Sequence, residues 1–333
     1  LARTLGAHGQ PPILLIIYIK YIYIIDKSSP RPDTPETVSR ESRSILDLVR
    51  RSGAPGGLML GLAGCLAAPP ESAPDGSSAD PRCLYAPNHD GESFFNPWDR
   101  FEPRARDLLR FALTRRPSRS VTPPEVSRVP NDGASLSGVQ QSAEITWVGH
   151  ATFAIHDGDD VVLTDPHFSE RAFLPARQQE PGLPLESIPP DAFAVISHNH
   201  YDHLDAGTVD RLPESVEWFV PRGLASWFQE RGRSRVRELG WWESAQRGRW
   251  KLTCLPSQHW SRRFGQGTNQ TLWCSWLLES GEHRYYLAGD TGYFHGLRES
   301  RRSFGPIHVA MLPNGAYQPR CFMRYHHMHP EVA

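Results

Sequence analysis

The chain is 333 residues long, 39% hydrophobic and 22% charged, which is enough apolar material to bury the core of one large domain or two smaller ones. Its formal net charge of −1 gives no electrostatic ground for a nucleic-acid partner, which needs a basic face. The five cysteines contain no C-x-x-C pair, so neither a zinc ribbon nor a thioredoxin-type motif is supported, and the 15 histidines are the more informative excess.

The chain opens at Leu1 with its first methionine at Met59, as in a fragment or a conceptual translation. The apolar stretch Ile13–Ile25 is interrupted by Lys20 and falls short of the roughly 20 residues of a spanning helix, so it reads as a tail rather than a span. Arg50 and Arg51 then precede a short apolar run ending Leu62-Ala63-Gly64-Cys65. This is similar to a bacterial lipoprotein signal with Cys65 as the lipidated residue; the alternative is a Gly/Ala-rich linker. The Pro/Ser/Gly/Asp-rich stretch after it cannot bury enough apolar surface to fold. Residues 1–90 are therefore assigned as an N-terminal targeting segment and disordered tether.

Residues 91–143 form an N-terminal extension: "GESFFNPWDRF", a basic helical stretch with Leu108, Leu109, Ala112 and Leu113 at helical spacing, and a Pro/Ser-rich connection. The main domain is placed at 144–333. It begins with two β runs that meet at the turn "DGDD" (157–160), a hairpin signal. The apolar runs "DAFAVISH", "VEWFVP", "WKLTCLPSQH", "LWCSWLLES", "RYYLAGD" and "IHVAMLPNG" follow at intervals, giving a mixed α/β fold dominated by strands. Cys254 and Cys274 lie in apolar runs and read as buried thiols, and Trp147, Trp260, Trp273 and Trp276 read as core rather than as a lipid groove.

Strong metal ligands collect where these strands end: His198, His200, Asp202 and His203 in "ISHNHYDHLD", His259 in "SQHW" and Asp290 in "AGDTG". In an extended segment His198 and His200 point to one side and can reach one metal, with His259 completing that site. Asp202 and His203, after the chain turns, can reach a second metal, and the two oxygens of Asp290 can bridge both. Nitrogen and oxygen donors suit zinc, with iron or manganese as weaker options.

The H-x-H-x-D-H motif resembles that of the metallo-β-lactamase superfamily. "FFNPW", "ITWVGHATFAI", "LTDPHFSERA", "WFVPRGLASWF", "NQTLWCSWLLE", "YYLAGDTGYF" and "NGAYQPRCFMRYHHMHPE" extend the resemblance to the N-acylphosphatidylethanolamine-hydrolysing phospholipase D family, from about Phe94 to Glu331. The resemblance implies an αβ/βα sandwich with two zinc ions in the cleft between its halves. His198, His200 and His259 would hold one, Asp202 and His203 the other, and Asp290 would bridge them. In that family a last histidine lies beyond the "HPE" segment, so the second half of the sandwich is expected to be incomplete at Ala333 and the second zinc weakened. His327 matches a histidine on the substrate side, while His329 stands where the family has an acidic or amide residue.

The implied reaction is zinc-dependent hydrolysis of the phosphodiester bond of N-acylphosphatidylethanolamine to N-acylethanolamine and phosphatidic acid, with a metal-bridging hydroxide as nucleophile. Asp202 would orient that hydroxide, and His327 would bind phosphate or protonate the leaving group. The implied partners are a phospholipid and a membrane surface, at the bacterial cell envelope if Cys65 is lipidated and otherwise on the cytoplasmic side of a membrane. Two other readings remain open: hydrolysis of a soluble phosphodiester or a lactone at the same site, and an inactive chain that binds metal poorly.

Overall fold

The computed structural model describes residues 15–18, 80–100, 129–177, 179–316, 320–331 and 333. Cys65 and the helix expected around Leu108 to Leu113 lie outside the described residues. The first strand, β1 (Leu15–Tyr18), comes from the apolar stretch read above as a tail. It runs parallel to the strand at Val309–Leu312, so four residues of that stretch are hydrogen-bonded into a sheet.

Strands β2 (Gln140–Gly149), β3 (Thr152–Gly158), β4 (Asp160–Thr164), β5 (Phe193–Val195), β6 (Glu217–Pro221) and β7 (Val236–Leu239) form one six-stranded sheet in chain order. The β2–β3 and β3–β4 pairings are antiparallel and the later ones parallel. Helices α1 (Ala206–Arg211) and α2 (Ala225–Gln229) follow β5 and β6. Strands β8 (Ser244–Arg247) and β9 (Trp250–Leu255) come next, then the short hairpin of β10 (Arg262–Arg263) and β11 (Gly267–Thr268), and then β12 (Ser275–Ser280), β13 (His283–Leu287) and β14 (Val309–Leu312). The second sheet has the order β1-β14-β13-β12-β9-β8. Helix α3 (Gly296–Phe304) precedes β14, and α4 (Arg320–Met323) follows it.

Period-2 alternation explains the layering. Phe153 and Ile155 of β3, Val162, Phe193, Val195 and Phe219 meet Trp250, Leu252, Trp276, Leu278, Tyr285 and Met311 in the core between the sheets. Their neighbours Ala154, Leu163, Ala194, Trp218 and Val220 face away and pack on Val209, Leu212, Trp227 and Phe228 of the helical layer. The parallel strands β5 and β6 are buried on both faces, which is why they read as unbroken apolar runs. On the far side of the second sheet, Leu277, Tyr286 and Ala288 lie under Leu297 and Phe304. The order of layers is helix, sheet, sheet, helix, the αβ/βα sandwich that the resemblance implies.

The hairpin at "DGDD" is present, with Asp157 opposite Asp160. The stretch before it differs from the reading as one strand. It breaks at Gly149, with φ of 142°, and His150, with φ of 48°, into two strands joined by a tight turn. Glycine enters this region freely, whereas histidine does so at a cost. Trp147 Nε1 holds the turn by donating to the His150 carbonyl at 2.9 Å. Cys254 and Cys274 are buried thiols, as read, and Trp273 and Trp276 are buried core residues. Trp147 and Trp260 are only partly covered.

Candidate metal centre

Beyond β5 the chain stays tied to the first sheet through Ile196 N, which donates to Phe219 O at 3.0 Å, while the next two carbonyls are bonded from the β12 side. Trp276 Nε1 donates to Ile196 O at 2.8 Å, and Cys274 N donates to Ser197 O at 2.9 Å. The next residues carry His198 and His200 into the cleft. The segment ends where Asp205 caps α1, accepting from Gly207 N at 3.1 Å and from Thr208 Oγ1. Between these anchors Arg263 pins the loop: its Nη1 donates to Asn199 O at 3.2 Å and to Leu204 O at 2.7 Å, and its guanidinium lies over the Tyr201 ring at 4.4 Å. The rigid supports on both sides turn a polar loop into a fixed array of donors.

All six metal ligands expected from the sequence are brought together. His198 Nε2 lies 2.8 Å from His200 Nδ1, which is 3.3 Å from His259 Nε2. Two donors each about 2.0–2.1 Å from one tetrahedral zinc are themselves roughly 3.3 Å apart, so the three nitrogens are spaced to share an ion. Asp290 Oδ2 is 3.3 Å from His203 Nε2 and 3.9 Å from His259 Nε2, a position between the two groups. His203 Nε2 is in turn 3.9 Å from Asp202 Oδ2. His327 Nδ1 stands 3.8 Å from Asp290 Oδ2, at the edge of the site, whereas His329 turns to Glu331 at 3.5 Å.

The orientation of the rings is set one layer further out. Asp165, at the end of β4, accepts from Ser197 N at 2.6 Å, from Ser197 Oγ at 2.7 Å and from His203 Nδ1 at 2.7 Å. With its hydroxyl proton committed to Asp165, Ser197 Oγ accepts from His198 Nδ1 at 2.9 Å. His259 Nδ1 donates to the His326 carbonyl at 3.1 Å. Each of these three rings has its Nδ1 proton occupied, so its Nε2 lone pair faces the cleft, the arrangement that metal-binding histidines require. Nε2 of His203 is buried and makes no hydrogen bond among the described residues. A buried nitrogen 3.3 Å and 3.9 Å from two carboxylates, yet bonded to neither, fits a cation between them.

Electrostatics agree with this arrangement. Burial pushes His198 and His259 well below the usual histidine range, with neighbouring imidazoles adding to the effect on His198, and burial lowers His200 to about 4. These rings are neutral donors at pH 7. Burial also opposes charge on His203, but Asp290, Asp202 and Asp165 outweigh it and raise His203 well above its ordinary value. Burial would raise Asp290 too, yet His203 and His327 hold its carboxyl well below the carboxylate range. In the absence of metal a proton on His203 supplies the positive charge that the carboxylates demand.

Several residues escaped the sequence reading. Asp165 has a visible signal, since it follows strand β4 in "TDP" as Asp290 follows β13. His150 was hidden by the unrecognised turn: its Nε2 lies 3.2 Å from Asp202 Oδ2, and His150, Asp202 and His203 form a second group of potential ligands beside His198, His200 and His259. His326 and Arg263 act through backbone contacts that no spacing announces.

A two-sheet sandwich with paired His/Asp groups at its strand ends defines a class, and residues 161–333, about half of the chain, match the beta-lactamase superfamily domain. The chain belongs to that superfamily. Among individual proteins it is 37% identical over 206 residues to N-acyl-phosphatidylethanolamine-hydrolyzing phospholipase D 1 of Caenorhabditis elegans, covering 56% of this chain and 58% of the relative. It is 33% identical over 200 residues to the mitochondrial N-acyl-phosphatidylethanolamine-hydrolyzing phospholipase D of Saccharomyces cerevisiae, covering 56% and 42%. A metal-dependent hydrolase of Pyrococcus furiosus is 26% identical over 181 residues, covering 52% of this chain and 73% of that protein. The chain thus spans about half the length of the two phospholipases it matches.

Proposed function

We propose that this chain is a zinc-dependent phosphodiesterase of the phospholipase D type, which hydrolyses N-acylphosphatidylethanolamine to N-acylethanolamine and phosphatidic acid. The observation that carries the reading is the set of imidazoles whose Nδ1 protons are tied to Ser197, Asp165 and the His326 carbonyl while their Nε2 atoms converge on Asp290. The likeness to the two phospholipases supports the choice of substrate. The all-nitrogen and oxygen donor set supports zinc.

His198, His200 and His259 would hold one ion, Asp202 and His203 the other, and Asp290 would be shared. A pair of such ions supplies an activated water near neutral pH and charge stabilisation on the phosphoryl oxygens. The rest is the work of this chain's own groups. Asp202, whose side chain is 42% exposed, faces the open side of the cleft and would orient the incoming water. His327, 14% exposed, stands beside Asp290 on the same rim and gives a proton to the departing ethanolamine oxygen. Arg263 keeps Asp202 and the histidines in register by closing the loop between them. A lipidated Cys65 would bring the domain to its substrate's surface.

The test is hydrolysis by the zinc-loaded chain of N-acylphosphatidylethanolamine in mixed micelles, run beside a soluble phosphodiester and an acyl lactone. Release of N-acylethanolamine and phosphatidic acid, faster than turnover of the other two, is the expected result. Turnover of the lactone or the soluble diester alone would overturn the choice of substrate.

A further inference from the structure

We infer that His150, in the turn between β2 and β3, is a metal ligand that closes the Asp202–His203 side of the centre. The inference rests on the two-metal reading above and adds a donor that neither the motif spacing nor the resemblance assigns. His150 Nε2 is 3.2 Å from Asp202 Oδ2, and the ligand atoms of His150, Asp202 and His203 all lie within 4.8 Å of one another. The rings of His150 and His203 meet edge to face with centroids 5.1 Å apart. His203 Nε2, fully buried and without a hydrogen bond among the described residues, points into the same space.

The backbone supplies an independent sign. His150 sits at φ of 48°, a conformation that an ordinary side chain adopts only at a cost, and Trp147 Nε1 fixes it there through the His150 carbonyl. The turn places the imidazole beside Asp202, 3.2 Å from its Oδ2. With His150 the second ion has His150, Asp202, His203 and the shared Asp290, a full tetrahedral count before water enters. Because the His150 side chain is 46% exposed, this ligand is also the one that solvent can displace, which leaves the second ion the more readily exchanged of the two.

The test uses the whole chain loaded with zinc and dialysed against a mild chelator, with metal counted by mass spectrometry and a parallel cobalt(II) titration followed in the visible. His150→Asn keeps a residue that tolerates the left-handed turn but withdraws the imidazole, and His150→Ala serves as the second variant; far-UV circular dichroism checks the fold of both. The unmodified chain retains two ions, and each variant retains one, with the second cobalt equivalent weakened more than about a hundredfold and its absorption band altered. A loss within roughly 10–100-fold, the range of residues that merely orient a ligand, would place His150 outside the coordination sphere and overturn the inference. Two ions held equally well by the variants would overturn it as well, as would a single ion in the unmodified chain. No ion at all in the unmodified chain would overturn the two-metal reading itself.

Discussion

The His198–His200–His259 group and the His150–Asp202–His203 group share Asp290 but are built on different foundations. The first hangs from the interior: His198 and His259 are 1% and 2% exposed, and the segment leading to His198 is bonded to Trp276 of β12 and to Cys274 just before it. The second reaches outward, with His150 on a turn held by Trp147 at its carbonyl, Asp202 half exposed, and the His203 ring held by Asp165. Under the proposed two-metal reading the closed group would supply affinity and the open one access, the asymmetry that a bulky phosphodiester would call for.

The two groups meet at Asp290. Asp290→Ala removes the oxygen that lies between the two groups, so both metal retention and hydrolysis are lost, whereas His198→Ala abolishes turnover through the closed group alone; metal counts beside activity assays distinguish the two. Next in size is the support of the closed group. Trp276→Ala empties a fully buried site in the core between the sheets and removes the bond to Ile196, at a cost of about 3–5 kcal/mol. Urea denaturation of the metal-free protein measures it, and a change below about 1 kcal/mol would mean the core is not what holds that strand.

Asp165→Asn touches the orientation of His198 and His203 while leaving every ligand present. Metal affinity should fall by about 10–100-fold on both sides of the centre, in a competition titration against a chromophoric chelator. A loss confined to one ion would show that Ser197 aligns His198 without Asp165.

The smallest effect is on the pH profile of the metal-free protein. His200, lowered by burial to about 4, binds fewer protons folded than unfolded, so its contribution is present above the ordinary histidine value of 6.5 and is lost as pH falls toward 4. Tyr286, pushed up by burial to about 12, has the opposite sign: its contribution is present below pH 10 and is lost as pH rises toward 12. Chemical denaturation across pH should show both limbs, and His200→Gln and Tyr286→Phe should flatten the acid and alkaline limbs respectively.

What was legible in the sequence follows the same division. The closed group announced itself because its histidines follow strands whose burial on both faces leaves continuous apolar runs, and H-x-H spacing in an extended segment points both rings one way. Asp290 was legible for the same reason, at the end of β13. The open group was legible only at Asp202 and His203. His150 was missed because "VGHATF" reads as continuous β pattern, and only the backbone conformation at Gly149 and His150 reveals the turn. Residues 15–18 were read as a tail because a short apolar run interrupted by a lysine has no period that separates an edge strand from a peptide outside the fold. His326 and Arg263 exert their influence through carbonyl oxygens, and a pattern of side chains carries no record of where backbone bonds go.

X-ray absorption at the zinc edge of the loaded protein is the most direct test of a paired centre. The prediction is a first shell of nitrogen and oxygen alone at about 2.0–2.1 Å with a metal–metal vector of roughly 3.5–4 Å. A sulfur contribution at about 2.3 Å, or a nitrogen and oxygen shell with no second metal within that distance, would contradict it.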